Sequence, residues 1–217
     1  MAELRVDAVL CDMDGTLVDS TAMVDAMWNE FADAHGLDGV EVRAFAHGRP
    51  SRATIERYLD DDAQIREWTD AIHAMEAGRF DGVVEVAGAA AFIGSLPCER
   101  WALVTSALAD PAQSRLRVVG VEPPTVLIGA DDVTHGKPDP EGYARAARAL
   151  GVDAGRCVVF EDTDAGIQAG LAAGCSVVVV GPNRSEATAG LARVDDMTQV
   201  GVRVEGETIV LTLPERD

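Results

Sequence analysis

Short apolar runs of strand length punctuate the chain, and between them the apolar residues fall back to a spacing of three and four. Residues 5–11, 101–105, 125–128, 156–160 and Ser176–Val180 are such runs, rich in valine and leucine and bounded by polar residues. That is the pattern of strands buried on both faces. Helical spacing fills 85–95, 111–119, 140–150 and 165–173. Gly120, Gly151 and Gly174 follow three of these segments, where a left-handed residue closes a helix. In Asp139-Pro140 the aspartate suits an N-cap and the proline the first helical position. Strand–helix alternation at this spacing predicts an α/β fold, a parallel sheet with helices on both faces.

One interval breaks the alternation. Residues 18–82 contain no strand-like run. Met23, Met27 and Phe31, flanked by Val24 and Trp28, form a helical stripe that Gly36 ends. Ser51 is placed to cap a helix reaching Leu59, and Ile65, Trp68, Ile72 and Met75 form a further stripe, ended by Gly78. Asp60-Asp61-Asp62 reads as a solvated loop or helix start. This is too much helix for one crossover. A separate helical cap domain over 18–82, inserted into a core of 1–17 and 83–217, is expected, with hinges near 16–19 and 81–87. At the tail, 202–205 and Thr208–Leu213 flank Gly206 and predict a β-hairpin at a sheet edge.

Composition narrows the function classes. Of 217 residues, 47% are hydrophobic, enough for a proper core. No run approaches the roughly 18 apolar residues of a membrane span. The N-terminus lacks a basic region followed by a long apolar one, so no signal peptide is expected. Cys11, Cys98, Cys157 and Cys175 show no CxxC spacing and read as reduced structural thiols of a cytoplasmic protein. The net charge of −19 repels phosphate backbones and argues against nucleic-acid binding. A small anion can still bind where cations are local. Of 18 basic residues 17 are arginine, so the one lysine, Lys137, calls for a reason. No coiled coil or apolar patch is evident, and a monomer is expected.

In a parallel α/β sheet, function collects at the carboxyl ends of the strands. The first strand delivers Asp12 and Asp14, the second Thr105 and Ser106, the loop after the third Lys137, and the fourth Glu161, Asp162 and Asp164. Carboxylates gathered beside a core repel one another unless a cation joins them. An oxygen-rich, water-accessible set of this kind suits Mg²⁺. Asp12 and Asp162 are the candidate carboxylate ligands, with the backbone carbonyl of Asp14 as a third. The hydroxyls of Thr105 and Ser106, with nearby N–H groups before a helix, make a phosphate seat. Lys137 can neutralise a phosphate oxygen and a carboxylate together. The sum is a site that activates a phosphate monoester.

These segments carry a resemblance. Asp12-Met13-Asp14-Gly15-Thr16-Leu17, Val104-Thr105-Ser106, Gly136-Lys137-Pro138-Asp139-Pro140 and Phe160-Glu161-Asp162-Thr163-Asp164-Ala165-Gly166-Ile167 resemble, in order, the four motifs of the haloacid dehalogenase-like (HAD) hydrolase superfamily. The helical insertion resembles the small cap of the subgroup holding β-phosphoglucomutase, phosphoglycolate phosphatase and sugar phosphatases. The resemblance implies a Rossmann-like core. Asp12 would be the nucleophile that becomes an aspartyl-phosphate, and Asp14 the acid for the leaving oxygen and then the base for water. Mg²⁺ and Lys137 would offset charge on the phosphoryl group, Asp162 would hold Mg²⁺, and Glu161 would order a metal-bound water or Lys137. The dehalogenase branch lacks an aspartate at the position of Asp14, which favours phosphoryl transfer over C–halogen cleavage. Residues 46–55 are similar to the cap loop of glycerol-phosphate and 2-deoxyglucose-6-phosphate phosphatases and offer His47 and Arg49 to the substrate. The expected activity is Mg²⁺-dependent hydrolysis of a small sugar or polyol phosphate. A β-phosphoglucomutase-like phosphomutase is the alternative, and a non-catalytic phosphate-binding regulatory module is a remote one. The absence of any cap lysine to grip a second phosphate favours hydrolysis, although Arg49 or Arg52 could serve.

Overall fold

The computed structural model describes residues 1–46 and 49–215. In chain order the strands and helices are β1 (Ala2–Val6), β2 (Ala8–Cys11), β3 (Val18–Asp19), α1 (Thr21–His35), α2 (Gly39–Ala46), α3 (Ser51–Tyr58) and α4 (Asp62–Gly78). Then come β4 (Val84–Glu85), α5 (Ala89–Gly94), β5 (Trp101–Val104), α6 (Ala109–Val118), β6 (Val126–Ile128) and α7 (Glu141–Ala149). The chain closes with β7 (Cys157–Glu161), α8 (Asp164–Ala172), β8 (Ser176–Val180), β9 (Ala192–Val194), β10 (Gly201–Glu205) and β11 (Thr208–Leu213).

Six strands form a parallel sheet in the order β6-β5-β2-β7-β8-β9. The first strand of the alternation therefore lies in the middle, with Val9 opposite Trp101 on one side and Val158 on the other. Successive side chains serve opposite faces. Val9, Cys11, Leu103, Val158 and Phe160 enter one apolar cluster, while Leu10, Ala102, Val104 and Val159 enter the other with Tyr143. Because β2, β5 and β7 are neighbours in register, their carboxyl ends open on one edge.

The predicted strand over 5–11 is two strands. Asp7 interrupts it: its N–H donates to the Arg156 carbonyl at 2.8 Å and its carboxylate takes Arg156 Nη2 at 2.7 Å. The preceding segment, β1, leaves the parallel sheet and pairs antiparallel with β11. The tail hairpin forms, but it does not extend the parallel sheet. It joins β1 in a separate sheet of order β1-β11-β10.

Four helices, α1 to α4, fill most of the interval expected to hold no strand, but its first two residues are a strand: β3 pairs antiparallel with β4 where the chain leaves and re-enters the sheet layer. That pairing delays the helix expected from residue 85, which starts at Ala89. Phe31 is fully buried among Trp28, Trp68 and His35, with the Trp68 ring edge-on at 5.2 Å. Such a pair adds about 0.5–1.5 kcal/mol beyond burial. Asp61 caps α4 by accepting from Ala63 and Gln64 N–H. Gly36, Gly120, Gly151 and Gly174 all take positive φ, as expected after helices. Gly78 does not: it lies within α4, which ends on an extended Arg79. Ser51 is the first residue of α3 and makes no cap bond. Asp139 accepts from the Glu141 N–H at 2.9 Å, and α7 starts one residue later than its Pro140 suggests. Among the described residues, no helix is long and apolar enough to cross a membrane.

Candidate active site

The turn after β2 shapes the site. Asp12 donates its N–H to the Phe160 carbonyl at 3.0 Å, a last rung between β2 and β7 that sets it beside Glu161 and Asp162. The chain then reverses around the Met13 carbonyl, which accepts from Leu17 and Val18 N–H at 2.8 and 2.9 Å. Gly15 makes this possible. Its φ is +89°, and a Cβ there would overlap the Asp162 carboxylate.

Lys137 is the hub. Its Nζ donates to Asp12 Oδ1, to Glu161 Oε1 at 2.7 Å and to the Val104 carbonyl at 3.1 Å, so every proton is used. Its side chain is only 8% exposed. Burial alone would lower its pKa, but Asp12 and Glu161 outweigh it and hold the ammonium charged. Glu161 is fully buried and saturated: Oε1 also accepts from Tyr143 Oη at 3.2 Å, and Oε2 from Thr163 N–H and Oγ1 at 2.8 and 3.0 Å. Burial pushes the Asp12 and Asp162 carboxyls above the usual carboxylate range, with Lys137 opposing the rise.

Asp14 faces a different set of partners. It accepts from Ser20 Oγ at 2.5 Å and from Arg115 Nη1 at 3.1 and 3.2 Å. Arg115, on α6, is 1% exposed, and its Nη2 lies 3.6 Å from Glu76 Oε1 on α4. Sequence reading passed over Arg115 as one arginine among 17. The signal was its place on the face of α6 that buries Ala112 and Leu116, where the periodicity calls for an apolar residue. Glu76, one turn after buried Ile72 on α4, carries the same signal.

A cavity of about 220 Å³ lies above these groups, walled on the sheet side by Asp12, Asp14 and Lys137 and on the helical side by Trp28, Arg43 and Glu76. Thr105 and Ser106 also line it. Thr105 is buried at the end of β5, its Oγ1 accepting from Ala107 N–H at 3.1 Å. Arg49 reaches the rim, where it lies 4.5 Å above the Phe45 ring and donates to the Phe45 carbonyl at 2.6 Å. His47, the other expected contact of that loop, lies outside the described residues.

The residues fit a divalent cation. Asp12, Glu161 and Asp162 each present an oxygen, all within 4.8 Å of one another. Asp162 Oδ1 is buried with no hydrogen-bond partner. A buried unpartnered carboxylate oxygen is costly, and an oxygen-preferring cation is what relieves it. The Asp14 side chain is not in this trio; the expectation there concerned its backbone carbonyl. Both Glu161 oxygens already accept two hydrogen bonds each, so within this trio Asp12 and Asp162 are the residues with an oxygen open to a cation.

A family model described as haloacid dehalogenase-like hydrolase matches residues 6–174. The chain belongs to this family. Among its HAD-like relatives, hexitol phosphatase A of Escherichia coli (strain K12) is 36% identical over 181 residues, covering 82% of this chain and 84% of the relative. Glycerol-1-phosphate phosphohydrolase 2 of Saccharomyces cerevisiae is 34% identical over 187 residues, covering 81% and 74%. The structure of CbbY from Rhodobacter sphaeroides in complex with phosphate superposes with a TM-score of 0.72 at 25% identity, covering 89% of this chain and 96% of that one. The HAD-like expectation is thus confirmed, and the protein is a hydrolase.

Proposed function

We propose that the protein is a Mg²⁺-dependent phosphatase of small sugar or polyol phosphates. The observation that carries this reading is the clamp of Lys137 on Asp12, beside the buried and unpartnered Asp162 Oδ1. Asp12 attacks phosphorus with its free oxygen, and the P–O ester bond breaks to leave an aspartyl-phosphate. Asp14 gives the leaving oxygen its proton, then takes one from the water that hydrolyses the intermediate. Thr105 and Ser106 receive the phosphoryl oxygens, and Lys137 balances their charge. Asp12, Asp162 and the Asp14 carbonyl would hold Mg²⁺, with Glu161 beside them. The bound ion would supply charge neutralisation for the phosphoryl group.

The reading divides the chain into a core of 1–17 and 83–217 and a cap of 18–82, the cap supplying the substrate wall. The cavity, about 220 Å³, falls below the roughly 300–1,000 Å³ of drug-sized sites and suits a short substrate. The named relatives act on hexitol and glycerol phosphates, which agrees. A phosphomutase needs a cationic seat for a second phosphate, and the cap arginines that line the cavity already have partners: Arg49 the Phe45 carbonyl, and Arg43 Asn29 and Asp25; Arg52 pairs with Glu56 at 2.7 Å. Phosphate release from a panel of phosphorylated metabolites, with Mg²⁺ and with chelator, tests the proposal. Release that needs Mg²⁺ and disappears in Asp12→Asn is expected; release unchanged in Asp12→Asn overturns the mechanism.

A further inference from the structure

The strongest unexplained feature is the guanidinium of Arg115. It is 1% exposed, yet Nε and Nη2 have no hydrogen-bond partner. Among the described residues, its hydrogen bonds come from Nη1 and go to Asp14. Nη2 is 3.6 Å from Glu76 Oε1, beyond hydrogen-bond reach, and both residues line the cavity. A buried unsatisfied donor costs about 1–3 kcal/mol, and such groups are kept where a ligand completes them. The Glu76 side chain is itself 13% exposed, and burial holds its carboxyl above the ordinary range against the pull of Arg115.

Resting on the phosphatase reading above, we propose that Arg115 and Glu76 form a hydroxyl-reading pair that recognises the hydroxyl on the carbon next to the phosphate ester. Beyond its phosphate, a sugar or polyol phosphate offers hydroxyls, and a hydroxyl accepts from a guanidinium and donates to a carboxylate at once. A phosphate or carboxylate would meet repulsion from Glu76, and a methylene would leave Nη2 without a hydrogen-bond partner. Position follows from Asp14. The same guanidinium that touches the proposed proton donor of the ester oxygen extends its next nitrogen toward Glu76, so the oxygen it meets is the neighbour of the ester oxygen. The pair also spans α6 beneath the sheet edge and α4 of the helical layer, so reading the hydroxyl requires the two layers to meet over the substrate. Sites built to pair a hydroxyl reject the analogue that lacks it far more strongly than apolar pockets reject a methylene.

The test compares glycerol 3-phosphate with propane-1,3-diol monophosphate, which differ only in that hydroxyl. Wild-type protein is expected to favour glycerol 3-phosphate in kcat/KM by about 10- to 100-fold, the worth of one hydrogen bond to a charged group. Glu76→Ala is expected to remove most of that preference by slowing glycerol 3-phosphate about tenfold or more beyond any loss on the diol phosphate. Glu76→Gln keeps the volume and an acceptor, and is expected to retain part of the preference; it decides the matter should the alanine variant not fold. Equal loss on both compounds means that Glu76 only holds the layers together, and overturns the proposal. So does equal wild-type kcat/KM for the two, or turnover of other panel metabolites without turnover of glycerol 3-phosphate. Failure of the phosphatase reading is distinct: no metabolite of the panel then releases phosphate.

Discussion

Gly166 offers a sharp test of how the site is held. It lies in the first turn of α8, and a Cβ built on it would overlap the carboxylate of Glu161. On propensity alone, Gly166→Ala in a helix stabilises by about 1 kcal/mol. Here the added methyl displaces the buried carboxylate that accepts from Lys137 at 2.7 Å, Tyr143 at 3.2 Å and Thr163 at 2.8 Å. Breaking a buried charge pair costs about 3–5 kcal/mol. The clash therefore wins, and the net loss is about 3 kcal/mol, or roughly 6–12 °C in Tm for a chain of this size. Thermal unfolding of both proteins with and without Mg²⁺, alongside phosphate release, measures it. Activity is expected to fall with stability, because Lys137 loses one of its two carboxylate anchors. A Gly166→Ala protein as stable and as active as wild type would refute the reasoning, since Glu161 would then have room to move without cost.

Other consequences are open to measurement. Lys137→Met leaves Asp12 and Glu161 without their shared cation; loss of phosphate release and destabilisation by about 3–5 kcal/mol are expected, and activity within tenfold of wild type would contradict the hub role. Burial raises the Asp12 and Asp162 carboxyls above their unfolded values, so the native state holds protons that the unfolded chain has already released. The contribution of these two groups to metal-free stability is thus fully present in acid and is lost as pH rises from the unfolded carboxylate range through the raised native values. Mg²⁺ binds the ionised form, so its Tm increment is expected to be larger at mildly alkaline than at mildly acidic pH, and to shrink in Asp162→Asn. An increment that ignores pH would count against the trio as the cation site.

The sequence by itself determined a good deal, and its success has a local cause. Runs such as Ser176–Val180 and stripes such as Met23, Met27 and Phe31 declare strand and helix through spacing alone, because one side chain in two or in three to four must face the core. The four polar clusters at strand ends were legible for the same reason: a parallel sheet delivers every strand end to one edge. Lys137 was found by its rarity. The tertiary structure decided what spacing cannot encode. Asp7 splits the first run because its partner, Arg156, is 149 residues away, and β1 then finds β11 rather than the central sheet. Asp14 turns from the acidic trio toward Ser20 and Arg115, and Arg115 meets Glu76, only because α6 and α4 pack together. Buried charges are affordable only in pairs, and the pairs are chosen by distant chain segments meeting in space, which no local pattern records.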